Sequence, residues 1–347
     1  MKISDIEKNE YSRYLQNYDF KEYLQNKTLL ITGSNGMTAK GIIQWILLEN
    51  ILHDTNCKIV ASTRHPEVVP DYVEENDFIE FCKFGTEMEI VRDRDIDYII
   101  QAAAPTGRAF FISKPVETLR IIVDETEKML EIAKNKKAKM VFLSSVEAYG
   151  VPNSKVPLKE TYVGAVNSLD IRNGYPMGKK AAEFLCYAMN KEYGVDVKIV
   201  RPSSIQGLLQ PYNEQRIFNE ILRCMIENKN LVMKSDGMSK KSIVYTLDAV
   251  TGILIALFKG EPGEAYNITN PSIYFTMKDL TQLLFGEFRP ELKIVFDIKE
   301  NSKTGYLPHL EFTQDISKLR DLGWEPITDL KTMYQVDLER FGKKECI

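Results

Sequence analysis

Cysteine is scarce and unorganised: the five present, Cys57, Cys82, Cys186, Cys224 and Cys346, are odd in number and form no CxxC pair. That spacing gives neither a disulfide framework nor a zinc ribbon, and leaves reduced residues that pack. Histidine is rarer still, and His53, His65 and His309 lie too far apart in the chain to suggest a cluster, so no metal is expected. A basic surplus is also missing, the formal net charge being -4, which speaks against nucleic acid as a partner. No stretch reaches the roughly 18 uncharged apolar residues of a membrane span. The opening MKISDIEKNEYSRYLQNYDFKEYLQNK is dense in charge and lacks the apolar core of a signal peptide, so a cytoplasmic location without a membrane partner is expected. Internal repeats and low-complexity tracts are absent.

What is there is an ordinary globular composition, 44% hydrophobic and 27% charged over 347 residues, enough for one large α/β unit or a nucleotide-binding domain with a smaller companion. Residues 1–27 read as a polar leader of one or two short helices docked on the outside. Short apolar runs then alternate with helical spacing. Thr28 to Thr32 predicts a strand, Met37 to Glu49 a helix with Ile42, Ile43, Ile46 and Leu47 on one side, and Lys58 to Ser62 a second strand. Tyr98 to Ile100, Met140 to Leu143 and Val197 to Val200 predict further strands, with helices over Val116 to Lys134 and Tyr175 to Tyr193. This alternation predicts an α/β fold, a doubly wound, Rossmann-type parallel sheet covered on both faces. Beyond Arg201 it loosens: helices over Arg216 to Glu227 and Met277 to Phe285 mix with short strands at Leu231 to Met233 and Lys293 to Phe296. We read residues 28–202, with returning segments near 241–268, as the dinucleotide-binding domain, and 203–240 with 269–347 as a smaller C-terminal α+β substrate lobe.

Two constellations carry chemistry. The first runs Thr32, Gly33, Ser34, Asn35, Gly36, Met37, Thr38 and Ala39, where a strand turns into a helix. Glycines permit the tight turn and close approach of backbone to a pyrophosphate, and the helix start offers N–H groups and a favourable dipole. The acid that usually grips the ribose of NAD after the second strand is missing, and the chain reads Ala61, Ser62, Thr63, Arg64, His65. The Arg64 guanidinium can pair with a 2′-phosphate instead, or be a solvated loop cation; on this signal NADP(H) is favoured over NAD(H). The second constellation is Ser144, Ser145, Val146, Glu147, Ala148, Tyr149, Gly150 after a strand, followed by Tyr175, Pro176, Met177, Gly178, Lys179. One helical turn separates Tyr175 from Lys179, so both face one way. An ammonium beside a phenol lowers the phenol's pKa from near 10 and makes it a usable acid or base.

With these motifs in place the sequence resembles the extended short-chain dehydrogenase/reductases, the NAD-dependent epimerase/dehydratase family. The segments that carry the resemblance are TGSNGMTA, AAAPT, SSVEAYG, YPMGK, Arg201-Pro202, SDGMSKKSIVYTLDAV, GEAYNITNP and DISKLRDLGWEP, nearly the whole chain after the leader. The resemblance implies an enzyme acting on a nucleotide-activated sugar held between the lobes. It implies that Tyr175 exchanges a proton with a sugar hydroxyl or carbonyl, that Ser145 hydrogen-bonds the same oxygen, and that Lys179 holds the nicotinamide ribose. It further implies cofactor contacts near Met37, Ala103, Ala104 and Pro202, and substrate contacts at Thr106, Glu147 and Lys241. Lys241 falls where many relatives place an arginine against the diphosphate; a surface cation is the other reading. Glu147 stands where decarboxylating and dehydrating relatives carry a glutamate, to bind sugar hydroxyls or to satisfy nearby backbone. The aspartic acid that protonates the leaving hydroxyl in dehydratases is replaced by Val146, and Ile122 stands where many members have asparagine.

Arg64 and Val146 tilt this reading toward NADPH-dependent reduction of a keto group on a nucleotide-linked sugar, for a surface polysaccharide. The alternatives are an NAD-retaining epimerase, decarboxylase or dehydratase, and a catalytically silent dinucleotide sensor. A homodimer is expected if Val116 to Lys134 and Tyr175 to Tyr193 pair with a second copy, although both helices would also be partly apolar in a monomer.

Overall fold

Short apolar runs between turn residues become strands, and the longer amphipathic segments between them become helices, in the computed structural model, which describes residues 3–67, 73, 76–105, 107–152, 154, 156–298 and 311–342. Thr106 and Cys346 lie outside the described residues. In chain order come α1 (Asp5–Leu15), α2 (Lys21–Leu24), β1 (Thr28–Thr32), α3 (Met37–His53), β2 (Lys58–Thr63), β3 (Ile79–Lys83), α4 (Glu87–Ile90), β4 (Tyr98–Gln101), α5 (Arg108–Ser113), α6 (Pro115–Lys136), β5 (Lys139–Leu143), α7 (Gly174–Tyr193) and β6 (Val197–Pro202). Then follow β7 (Ser204–Gln206), α8 (Ile217–Glu227), β8 (Leu231–Met233), β9 (Lys240–Tyr245), α9 (Thr246–Lys259), β10 (Ala265–Ile268), β11 (Tyr274–Thr276), α10 (Met277–Phe288), β12 (Ile294–Phe296), α11 (Ser317–Arg320) and α12 (Leu330–Gly342).

Seven strands form one parallel sheet in the order β10-β6-β5-β4-β1-β2-β3. The order reverses between β1 and β4, and in doubly wound sheets such a switch point opens a crevice at the carboxyl ends of the strands. Register fixes that edge: Thr32 lies opposite Ser62 on β2 and Gln101 on β4. Successive residues of β1 feed opposite faces. Leu29 and Ile31 join the cluster packed by α3 and α9, and Leu30 joins Met129, Leu130, Ala182 and Cys186 from α6 and α7. Burying both faces explains why these strands read as apolar runs. Helix α9 is buried from Thr246 through Phe258, which its all-round apolar sequence TLDAVTGILIALF requires.

Beyond β6, a three-stranded sheet (β11-β9-β7) and a two-stranded pair (β12-β8) hold α8 and α10. The chain twice returns to the main sheet, through α9 on its face and β10 at its edge beside β6.

The leader departs from the expectation of an outside dock. Its Tyr11, Tyr14, Phe20 and Leu24 are fully buried in the main core, each contributing about 1.5–3 kcal/mol of apolar burial. The phenols are satisfied inside. Tyr11 donates to the Gly41 carbonyl and to Gln44, Tyr14 donates to Asp248, and the Tyr18 hydroxyl donates to the Glu325 carbonyl. Because tyrosine carries an apolar body on a polar tip, a segment dense in charge still supplies a core face.

Candidate active site

The glycine-rich turn sits at the switch point. Gly33 takes a left-handed φ of 71°, which a side chain would resist. A Cβ there would lie 2.9 Å from the Ala103 Cα, so β1 and β4 approach at this point only because glycine is present. The Thr32 hydroxyl oxygen draws them together by accepting from the Ala102 and Ala103 amides at 3.2 and 3.1 Å. Gly36 donates to the Gly33 carbonyl and serves as the N-cap of α3 without any side-chain capping bond. The first-turn amides of α3, from Met37 and Thr38 onward, are thus left for an anion. Asn35 donates to the Thr63 hydroxyl, and the buried Ser34 donates through both its amide and its hydroxyl to the Ser62 carbonyl. Ser34 therefore shapes the turn against β2. This cradle of glycines, free amides and helix start fits a dinucleotide diphosphate.

The second constellation assembles beside it. β5 ends at Leu143, and Ser145 then caps a short 3-10 turn over Val146–Tyr149 by accepting from the Glu147 amide. Tyr175, Lys179 and Glu183 are buried on successive turns of α7 and share one face. The Tyr175 hydroxyl shares a hydrogen bond with Ser145, and Glu147 is close enough for its charge to act on the phenol. Phe111 of α5 stacks on the Tyr175 ring, centroids 5.4 Å apart and planes inclined by 26°.

The electrostatics differ from the expected lowered phenol. Burial, followed by the Glu147 charge, pushes Tyr175 up from 10, although the Ser145 hydrogen bond and Arg216 pull it down. Lys179 faces the ring from 5.8 Å and donates to the Leu143 carbonyl at 2.5 Å rather than to the phenol. Burial brings its own pKa down to about 7, against the opposing pull of Glu183. In the chain alone the phenol is a proton holder.

The remaining expected residues fall as follows. Ala103 is buried and Ala104 half-buried just past β4, and Pro202 is buried at the end of β6, both strand ends opening toward the crevice. Arg64 is exposed just beyond β2. Lys241 is exposed on β9, in the small sheet. Ile122 packs against Gly178, where an added Cβ would meet its Cδ1 at 3.1 Å, so α6 offers an apolar contact at that point. Two residues had no signal in the sequence: Phe111, which lies in a six-residue helix, and Arg216, the N-cap of α8, whose charge reaches Tyr175 from the smaller lobe. Among the described residues no group of three or more His, Cys, Asp or Glu gathers to hold a metal, and no helix is long and apolar enough to cross a membrane.

Comparison with known proteins agrees with this geometry. The pattern of the NAD dependent epimerase/dehydratase family matches residues 29–269. UDP-glucuronic acid decarboxylase 3 of Arabidopsis thaliana is 30% identical over 312 residues, spanning 88% of this chain and 86% of that protein. The UDP-glucose 4-epimerase of Thermotoga maritima, solved with UDP-glucose, superposes with a TM-score of 0.77 at 20% identity, covering 91% of this chain and 99% of the other. The UDP-glucuronic acid 4-epimerase of Bacillus cereus, solved with NAD, does so with a TM-score of 0.72 at 20% identity, covering 91% and 98%. The last two likenesses speak for the fold. From the glycine cradle, the Tyr175 and Lys179 face and the extent of the match, the chain belongs to the NAD dependent epimerase/dehydratase family of enzymes.

Proposed function

We propose that the protein retains NAD and converts a nucleotide-linked uronic acid by transient oxidation at a sugar hydroxyl, with loss of the carboxylate as carbon dioxide. The observation that carries this reading is the hydrogen bond of Ser145 to the Tyr175 phenol, with the charges of Glu147, on the turn that Ser145 caps, and of Arg216, at the start of α8, both acting on that phenol. Relatives that combine sequence identity with coverage of the chain include UDP-glucuronic acid decarboxylases. Val146 stands where an acid would serve a 4,6-elimination, which argues against dehydration.

Tyr175 takes the hydroxyl proton from the sugar as that carbon becomes a ketone, and Ser145 holds the same oxygen. A ketone placed β to a carboxylate lets the carbon–carbon bond break, its electron pair flowing toward the ketone oxygen while carbon dioxide leaves. The carbon is then reprotonated, and Tyr175 returns its proton to the oxygen as the ketone is reduced. Glu147 binds sugar hydroxyls beside this oxygen, Arg216 neutralises an anionic group of the substrate, and Lys179 orients the coenzyme ribose. NAD, bound over the glycine turn, would supply the oxidising and then the reducing equivalents, so none are consumed overall.

The exposed Arg64 favours a second reading, the NADPH-dependent reduction of a keto-sugar nucleotide. One experiment separates the two. Purified protein is denatured and its released dinucleotide identified by mass spectrometry, and the protein is incubated with UDP-glucuronate while carbon dioxide and nucleotide-pentose are followed by NMR. We expect NAD in the released ligand and pentose formed without net change in reduced coenzyme. NADPH consumption with keto-sugar nucleotides, and no carbon dioxide from the uronate, sinks the proposal in favour of the reductase.

The homodimer belongs to the same proposal. Val116 and Leu119 of α6 and Phe184 and Tyr187 of α7 are exposed, Phe184 by 71%, on the two helices that pack most closely together. Covering such a paired face with its copy would remove apolar surface from water. Light scattering is expected to give twice the chain mass of 39.9 kDa, and Phe184→Glu to halve it; a monomeric parent chain removes the expectation.

A further inference from the structure

The face of α7 that carries Tyr175 and Lys179 continues one turn further to the buried Glu183, whose partner is the partly buried Arg201 on β6. Arg201 grips the Glu183 carboxylate with two donors, Nε at 2.9 Å and a terminal nitrogen at 2.7 Å, the fork geometry that lysine lacks. Its third nitrogen donates to the Glu160 carbonyl at 2.8 Å, and the guanidinium lies 4.7 Å over the Tyr149 ring. On the other side Glu183 accepts from the Ser144 hydroxyl at 2.5 Å, beside Ser145. One carboxylate thus touches the strand end that bears the serine, the helix that bears the tyrosine and lysine, and the strand behind both.

We propose that Glu183, oriented by Arg201, is a positioning residue that keeps Lys179 charged and holds the Ser144–Ser145 strand end in register with Tyr175. The groups facing Lys179 are few. Among the described residues its own helix offers Tyr175, Glu183 and Cys186, β5 offers the Phe142 ring and the Leu143 carbonyl, and β6 acts through Arg201 on Glu183. Burial pushes both the Tyr175 phenol and the Cys186 thiol up, so they stay neutral. Among these groups the negative charge is that of Glu183, and it opposes the burial that brings Lys179 down to about 7. Arg201 has the reverse influence, since it neutralises Glu183 in part.

The inference rests on Lys179 as the group that holds the coenzyme ribose, and it does not require that any sugar be turned over. Its test is therefore the pH dependence of NAD binding by the full chain, read by calorimetry, with turnover measured beside it. Affinity is expected to fall as pH rises through the Lys179 midpoint. Glu183→Gln removes the supporting charge and is expected to move that midpoint down, and Arg201→Met frees the carboxylate and is expected to move it up, each by about one to three pH units. A packing role alone would lower affinity at every pH without moving the midpoint. Shifts in one direction for both variants, or no shift, overturn the proposal. Either variant alone decides the sign if the other fails to fold. Glu183→Asp, which keeps the charge one methylene further away, gives a smaller downward shift if the proposal holds and an unmoved midpoint if it does not. A protein that binds NAD with these shifts and yet leaves every sugar nucleotide unchanged would sink the proposed reaction and keep the positioning role.

Discussion

A Tyr175→Phe variant is expected to fold and to bind coenzyme like the parent chain, and to process nucleotide sugar about a hundred- to ten-thousandfold more slowly, the usual contribution of a positioned acid or base. The substitution removes one oxygen. The ring stays, held against Phe111 and among the buried residues of α6 and α7, so the fold loses little beyond the hydrogen bond to Ser145. Without the phenol no group on that face of α7 can take the sugar's proton: Lys179 is turned to the Leu143 carbonyl, and Glu147, though near, lies on the 3-10 turn beyond Ser145. Paired measurements of kcat and of coenzyme affinity check this. Equal loss of both would mean that the phenol serves binding or folding, and parental kcat would mean that the chain uses its dinucleotide for something other than catalysis, as a sensor would.

The high phenol pKa gives that expectation a physical edge. A proton held above 10 by burial and by Glu147 is costly to remove at neutral pH. The parent chain therefore depends on positive charge arriving beside it, from Arg216 across the cleft, from Lys179 one turn along, and from whatever cation the ligand itself carries. Glu147→Gln is expected to lower the phenol and, on the proposed reaction, to remove a sugar contact at once, which is why the tyrosine, and not the glutamate, gives the cleaner experiment.

Much of this was legible in the sequence because it is local. The glycine turn and the tyrosine-lysine pair each lie within one strand-turn-helix or one helical turn, where spacing translates directly into geometry. The parallel sheet was legible from alternation, but β3 and β10 were not singled out: IEFCK sets two charged residues among three apolar ones and forms no apolar run, and AYNI is too short to stand out. What could not be read was whatever depends on distant segments meeting. Phe111 on Tyr175, Arg216 from the smaller lobe, and the Glu183–Arg201 pair are tertiary facts, as are the leader's tyrosines seeking Gly41, Asp248 and Glu325. The expected lowering of the phenol failed for the same reason. The lysine is legible on the helix, whereas the burial that dominates comes from tertiary packing, with Phe111 stacked on the ring. The preference for NADP(H) rests on Arg64, a single exposed loop residue, and the reading of net reduction on Arg64 together with Val146 beside the intact Tyr175 and Lys179 pair, while the family's description names NAD.

Replacement of Gly33 by valine is expected to leave the sheet folded and to weaken dinucleotide binding severely. Two costs add at this position. A β-branched residue at a φ of 71° is strained, by roughly 1–3 kcal/mol, and a Cβ lying 2.9 Å from the Ala103 Cα, 3.0 Å from its amide and 3.2 Å from the Ala102 carbonyl carbon meets only backbone. Overpacking of that kind costs about another 1–3 kcal/mol. The turn relieves both by moving away from β4, which takes it out of the shape that lets the α3 amides meet a diphosphate. Binding must then restore the strained shape, so affinity falls by up to the full strain, about thirtyfold to more than ten-thousandfold at tenfold per ~1.4 kcal/mol. Calorimetric titration with NAD, beside a thermal melt without it, separates the terms. A melt that drops sharply with unchanged affinity would mean that the glycine serves only the β1–β4 approach and that the diphosphate lies elsewhere.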